Sequence, residues 1–317
     1  MDFALTKEQE AIRTAARDFA RGEFDREIAL EHERNHSFPR EIWKKACDLG
    51  FIGIHFPEEY GGQDYGILEN ALVVEEFCRQ DSGIGIALTL ADFASEIILR
   101  CGSEDQKATY LTPLTEGRMI SCGGFTEPDH GSDITLMNTT ADRDGDDWVI
   151  NGTKTFITNG TIGDYVNVLC QTDPEASPTY RGQSVILVER GTPGFTDADV
   201  GEKMGIKMTS TGELSFNDVR VPASNLVGEE NRGFYQVLEF FDESRIEIAA
   251  QALGIAQGAF DRALAYTKER KQFGKKLAQF QATQHKLADM ATKIETARLL
   301  VYMAAWNYDQ GRIDPKL

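Results

Sequence analysis

The period of the hydrophobic residues changes twice along these 317 residues, from helical to β and back to helical, and no other feature constrains the fold as much. From Leu5 to about Gly117, apolar residues recur three and four apart, as in Ile12, Ala15, Ala16 and Phe19, and then Ile42, Ala46 and Leu49. Stop signals separate these runs at Gly50, at PEEYGG (Pro57 to Gly62), at Ser82 and Gly83, and at CGSED (Cys101 to Asp105). Ser103 and Gln106 have the spacing of a capping box for the next helix. Between Cys122 and Gly228 the chain turns to short β-prone runs, WVING, TKTFITNG, YVNVLC, SVILVE and GELSFNDVRVP. Asn151–Gly152, set between two of them, predicts a hairpin. From Gly233 a long helical stripe follows Phe234, Val237, Phe241, Arg245, Ile248, Ala252, Ala256, Phe260 and Leu264. A second helix carries Leu287, Met290, Ile294, Ala297, Val301, Ala305 and Tyr308.

The pattern predicts a multidomain α+β chain: an all-helical domain over residues 1–120, a middle β domain over 121–230 resembling a small barrel or sandwich, and a helical domain over 231–317. The two last helices, linked by residues 272–281, should form an antiparallel pair whose apolar faces need a further partner. The sequence stops before another helix appears, so the expectation is a truncated, incomplete C-terminal bundle.

Composition narrows the function. With 51 acidic and 33 basic residues the net charge is −18, which disfavours nucleic acid and anionic membrane surfaces. The basic stretch Lys268 to Lys276 is too short to change that and reads as a solvated helix end. No apolar run is long enough to span a bilayer and the first residues lack a signal-peptide core, so a cytoplasmic location is expected by default. Five scattered cysteines without a C-x-x-C pair predict reduced thiols in the core, with neither a disulfide framework nor a metal site.

The densest chemistry lies in GGFTEPDHGSD (Gly123 to Asp133). Such a loop can offer backbone N–H groups and hydroxyls to a polar ligand. It can equally be a polar domain-crossing loop in which Glu127 and Asp133 cap turns. Phe156 and Thr158, after the Asn151–Gly152 pair, either pack against a planar ring or are ordinary strand residues.

PEEYGG, TEPDHGSD, NGTKTFITNG, VPASNLVGEENRGF and ERKQFGKKLAQFQ occur in an order and spacing that resembles the acyl-CoA dehydrogenase family over essentially the whole chain. The resemblance implies an FAD enzyme that oxidises an acyl-CoA thioester to the enoyl-CoA, as in fatty acid β-oxidation, and passes electrons to an electron-transferring flavoprotein. It implies that Phe125 and Thr126 contact the flavin, that Phe156 and Thr158 flank its ring, and that Ser132 lies near both the FAD pyrophosphate and the acyl-CoA. Phe234, Asp242 and Arg245 match positions near CoA, although an Asp and an Arg three apart on a helix also make ordinary surface ion pairs. Arg270, Gln272 and Phe273 match positions that reach the FAD of a neighbouring subunit, which implies a homo-oligomer built as a dimer of dimers. Two residues depart from the family pattern: Phe156 replaces the usual Trp, and His130 stands where a small residue is commoner.

Removal of the thioester α-proton needs a carboxylate within roughly 3 Å. The family's usual Glu lies beyond Leu317, and an alternative position used by some relatives is Ser244 here. Glu243 beside it points about 100° away on a helix. Asp92, in LTLADFASE, is the remaining candidate, because relatives acting on cyclohexane- or cyclohexene-carboxyl-CoA are thought to use an Asp in this region; its simpler role is to cap the helix running to Arg100. Other readings on the same fold are a flavin monooxygenase or oxidase and a non-catalytic, DNA-associated protein.

Overall fold

The computed structural model describes residues 4–313, so the ends of the first and third expected segments, including residues 314–317, lie outside the described residues. Helices come first: α1 (Lys7–Glu23), α2 (Arg26–Asn35), α3 (Arg40–Asp48), α4 (Ile67–Gln80), α5 (Ser82–Thr89), α6 (Ser95–Cys101) and α7 (Glu104–Thr115). Strands follow: β1 (Ser121–Gly124), β2 (Thr140–Asp144), β3 (Asp147–Thr158), β4 (Tyr165–Gln171), β5 (Gln183–Glu189), β6 (Phe195–Asp199), β7 (Thr211–Pro222) and β8 (Leu226–Val227). The chain ends in α8 (Gly233–Glu269), the short strands β9 (Lys271–Gln272) and β10 (Lys275–Lys276), and α9 (Gln281–Asp309). Ser103 and Gln106 do form the capping box of α7, and Thr6 with Gln9 forms another at α1.

Packing sorts these elements into two compact units that cut across sequence order. One gathers residues up to Glu31, Tyr65–Ile86 and the chain from Asp242 onward; the other holds His32–Asp64 and Ala87–Phe241.

The first unit is helical. Arg17 of α1 grips the buried Glu76 of α4 with two hydrogen bonds, at 2.9 and 2.5 Å. From α9, Arg298 and Tyr302 reach the buried Glu75 at 2.9 and 2.7 Å. Asp309 accepts from the N–H groups of Ile67 and Leu68, capping α4 where its own N-cap, Gly66, has no side chain to do so. A Cβ on Gly254 or Gly258 of α8 would stand 2.3 Å from the Glu75 carbonyl oxygen or 2.2 Å from that of Arg79, so these glycines let α8 rest directly on α4. The C-terminal helix pair thus packs with α1 and α4, a partnership between sequence ends that periodicity alone does not reveal. Between α8 and α9 a groove of about 710 Å³ is lined by Ile246, Leu253, Ala256, Ile294 and Val301, among others.

The second unit is built on one sheet in the order β6-β7-β3-β2-β4-β5-β8, with β1 paired to β4. The path runs from β6 to β8 and no closed barrel forms among the described residues, which corrects the barrel-like expectation for this segment. Its core is a cluster that includes Trp148, Ile150, Val166, Val168, Ile186, Leu214, Phe216 and Val219.

The Asn151–Gly152 hairpin is also corrected. Strand β3 runs straight through this pair, and the reversal comes earlier, at Gly145 (φ 65°), where Asp144 pairs with Asp147. Gly152 instead serves a bulge: its φ is 148°, and a Cβ there would stand 2.5 Å from the Thr139 hydroxyl. All five cysteines are free thiols and four are buried.

Candidate functional site

A second bulge interrupts the pairing of β3 with β7 between Lys154 and Ile157. The inserted residue lets Thr155 and Ile157 both turn inward, and Phe156 is left facing outward with 68% of its surface exposed. Its φ of 58° is rare for a bulky L-residue and costs about 1 kcal/mol or more. A strained backbone that displays an aromatic face to solvent points to a ligand. Thr158, two residues on and half-buried, pairs with Thr211 of β7.

Strand β1 delivers the chain into the loop 125–139. The Phe125 ring is buried edge-on against Phe241, with centroids 5.6 Å apart. The Thr126 carbonyl accepts from the Thr155 N–H at 2.9 Å, joining loop to bulge. Glu127 and His130 close a tight turn through reciprocal backbone bonds of 2.9 and 3.2 Å. The buried Glu127 carboxylate accepts from the N–H groups of Asn138 and Thr139 at 2.7 and 2.8 Å and from Lys154 Nζ at 2.9 Å. Burial pushes Glu127 upward, but Lys154 and these hydrogen bonds outweigh it and hold the carboxyl below its usual range. Burial lowers Lys154, with Glu127 opposing that shift. Ser132 lies on the exposed crest of the same loop, beside Asp133, whose carboxylate accepts from the Thr135 N–H at 3.1 Å.

After Thr158 comes Asn159, fully buried, which donates to the carbonyls of Leu90 (2.6 Å) and Ser121 (3.1 Å). Asn167 donates to the Ala94 carbonyl at 3.0 Å, so the sheet pins both ends of the turn 90–94. Asp92 sits on this turn, 7% exposed, where the backbone N–H groups of Asp92 and Gly53 favour its charged form. Burial first, and the neighbouring Glu96 second, push Asp92 up to about 7, with His55 pulling the other way. Its side chain does not cap α6: the N-cap position is Ala94, and Asp92 contributes only its main-chain carbonyl, to Ser95.

The residues assigned to CoA divide between the two units. Phe234 lies over Tyr180 at 4.6 Å, and the Arg232 guanidinium sits 4.4 Å above the neighbouring Tyr235 ring. In the helical unit Asp242 and Arg245 form an ion pair of 3.0 Å and line the α8–α9 groove. Arg270, Gln272 and Phe273 are exposed on the link between these helices. Phe273 and Gly274 (φ 51° and 76°) form the tip of the β9–β10 hairpin, and Phe273 is 94% exposed.

The structure therefore joins Phe125, Thr126, Phe156 and Thr158 at one loop–strand junction, with Ser132 on the same loop. An outward aromatic face flanked by half-buried threonines suits a flat, hydrogen-bonding isoalloxazine ring. Sequence reading overlooked Lys154 and Asn159. Lys154 shares the inward parity of Trp148 and Ile150, and a lysine at such a position demands a buried counter-charge.

Family models for the acyl-CoA dehydrogenase N-terminal, middle and C-terminal domains match residues 6–118, 122–219 and 231–317. The chain is 43% identical to an acryloyl-CoA reductase (NADH) of Anaerotignum propionicum, over 98% of its own length and 79% of that protein. Its structure matches butyryl-CoA dehydrogenase from Megasphaera elsdenii with a TM-score of 0.92 at 40% identity, covering 98% of this chain and 82% of the other. A chain from a structure described as an electron transferring flavoprotein of Acidaminococcus fermentans gives a TM-score of 0.93 at 43% identity, with the same coverage. With all three segments matched in order, the chain belongs to the acyl-CoA dehydrogenase family of FAD-dependent oxidoreductases.

Proposed function

We propose that this chain binds FAD at the junction of loop 125–139 with the β3 bulge and uses it to remove two hydrogens across the Cα–Cβ bond of an acyl-CoA thioester. The observation that carries this reading is the strained, outward Phe156, tied through Thr155 to the Thr126 carbonyl. Bound there, FAD would accept the hydride that leaves the β-carbon, and the α-proton would pass to a carboxylate base. Phe156 would offer the face for the ring, Thr126 and Thr158 would offer hydroxyls to its polar edges, and Ser132 would lie near the FAD pyrophosphate and the acyl-CoA. Phe234, Asp242 and Arg245 are assigned to CoA. The exposed Phe273 hairpin, with Arg270 and Gln272, is assigned to a neighbouring subunit in a dimer of dimers. Electrons leave to an electron-transferring flavoprotein, and the enzyme works in the cytoplasm. No helix among the described residues is long and apolar enough to cross a membrane.

The test is anaerobic addition of short, branched, aromatic and alicyclic acyl-CoAs to the purified flavoprotein. Bleaching of the visible flavin band by a short-chain thioester is expected; a protein that carries no FAD sinks the proposal. Relatives named for acyl-CoA chemistry support this over an oxidase, which would instead consume oxygen, and over an alicyclic substrate. The reductase name of the Anaerotignum relative favours one second reading, the same transfer run in reverse. Reoxidation of the reduced flavin by an enoyl-CoA measures it.

Asp92 has the near-neutral pKa that a base needs, yet at 7% exposure its carboxyl is packed into the fold. Asp92→Asn separates these roles. A base predicts a kcat loss of about a thousandfold or more with the flavin spectrum unchanged, whereas a folding carboxyl predicts near-native turnover, the outcome the geometry favours.

A further inference from the structure

We propose that the buried Lys154–Glu127 pair is a positioning device that sets the distance between the flavin loop and the bulged strand before the cofactor binds. The inference rests on the flavin reading above and adds to it a pair of residues that do not touch the cofactor.

Both side chains are almost fully buried, so neither reaches the outward face that carries Phe156. Their bonds nevertheless span every part of the junction. Lys154 Nζ donates to Glu127 at 2.9 Å and to the Phe125 carbonyl at 3.3 Å, at the start of the loop. Glu127 accepts from Asn138 and Thr139, at its end. Lys154 itself occupies the last regular position of β3 before the bulge. One ammonium and one carboxylate thus hold the two ends of the loop 125–139 against the strand that displays the aromatic face. Residue 126, lying between 125 and 127, has no freedom to drift from Thr155.

Stability alone is a poor reason for such a pair. Replacing a buried ion pair with apolar residues of similar volume is often neutral or stabilising, because desolvation offsets much of the attraction. What the charged pair supplies, and apolar packing does not, is directional bonds to three named backbone groups.

Two variants separate the roles. Lys154→Met strands the Glu127 charge and should lower both Tm and FAD affinity. The double variant Glu127→Gln with Lys154→Met removes both charges, and the single Gln oxygen can replace only one of the two carboxylate oxygens that accept from Asn138 and Thr139. It relieves the stranded charge and should recover part of the lost Tm, yet bind FAD roughly tenfold or more weakly and with an altered visible flavin spectrum. A double variant that regains native FAD affinity and spectrum along with its Tm would overturn the proposal. Amide exchange on the unmodified protein needs no variant. In the FAD-free chain the amides of Asn138 and Thr139 should already be protected; exchange at the rate of open loop amides until FAD is added counts against a preset junction. An unmodified chain that binds no FAD would strike the flavin reading itself and leave amide protection as the measure of the pair.

Discussion

Phe156 holds its left-handed backbone with most of its ring in solvent, so little burial compensates for the strain. Asparagine tolerates this conformation far better than a bulky residue. Phe156→Asn is therefore expected to leave folding stability unchanged or raise it by up to about 1 kcal/mol, while weakening FAD binding; denaturant titration and flavin fluorescence together check it. Phe156→Trp should retain the cofactor, because an aromatic face is preserved. Asp92 makes a prediction about pH. Its folded pKa, about 7, lies above its unfolded value, so the protonated carboxyl favours the native state. That stabilisation is complete below the unfolded pKa and is lost as pH rises through about 7. Asp92→Asn cannot ionise, so it should be the more stable form at pH 8, by an amount on the order of a few kcal/mol, with the gap closing towards pH 5. Tm measured across this range tests the sign. At this scale the sequence was partly legible. Thr126 stood out because it lies in a loop rich in Gly and hydroxyls, and Phe156 and Thr158 because they follow the Asn151–Gly152 pair, whereas the partner that the inward parity of Lys154 demands lies 27 residues away.

Strand β3 shows how far an element can be read. Trp148 and Ile150 face inward on even positions, Ile157 on an odd one, and that change of parity requires a bulge between them. Its location at Phe156, and the use of Gly152 for close approach to Thr139, depend on neighbouring strands that are remote in sequence. Helix α8 makes a comparable case, because Gly254 and Gly258 lie in a stretch whose period reads as plain amphipathic helix. Gly254→Ala places a methyl against the Glu75 carbonyl oxygen of α4 and should destabilise the protein by about 1–3 kcal/mol, read as a lower denaturation midpoint with an unchanged slope.

Across the whole molecule, the excess of acidic residues predicts that the protein leaves duplex DNA unretarded in a mobility assay at roughly physiological salt. A shifted band would reverse that expectation. Sequence by itself determined the succession of helix, strand and helix, the open chemistry of the Gly123–Asp133 loop and the resemblance that leads to FAD, because these depend on local period, turn residues and motif order. Tertiary structure alone decided that the C-terminal helices pack with α1 and α4, that the sheet remains unclosed, that Asp92 faces Gly53, and that Lys154 meets Glu127. Each of these depends on pairing between residues distant along the chain. Hydrophobic pattern shows which faces must be buried, but not which distant partner buries them.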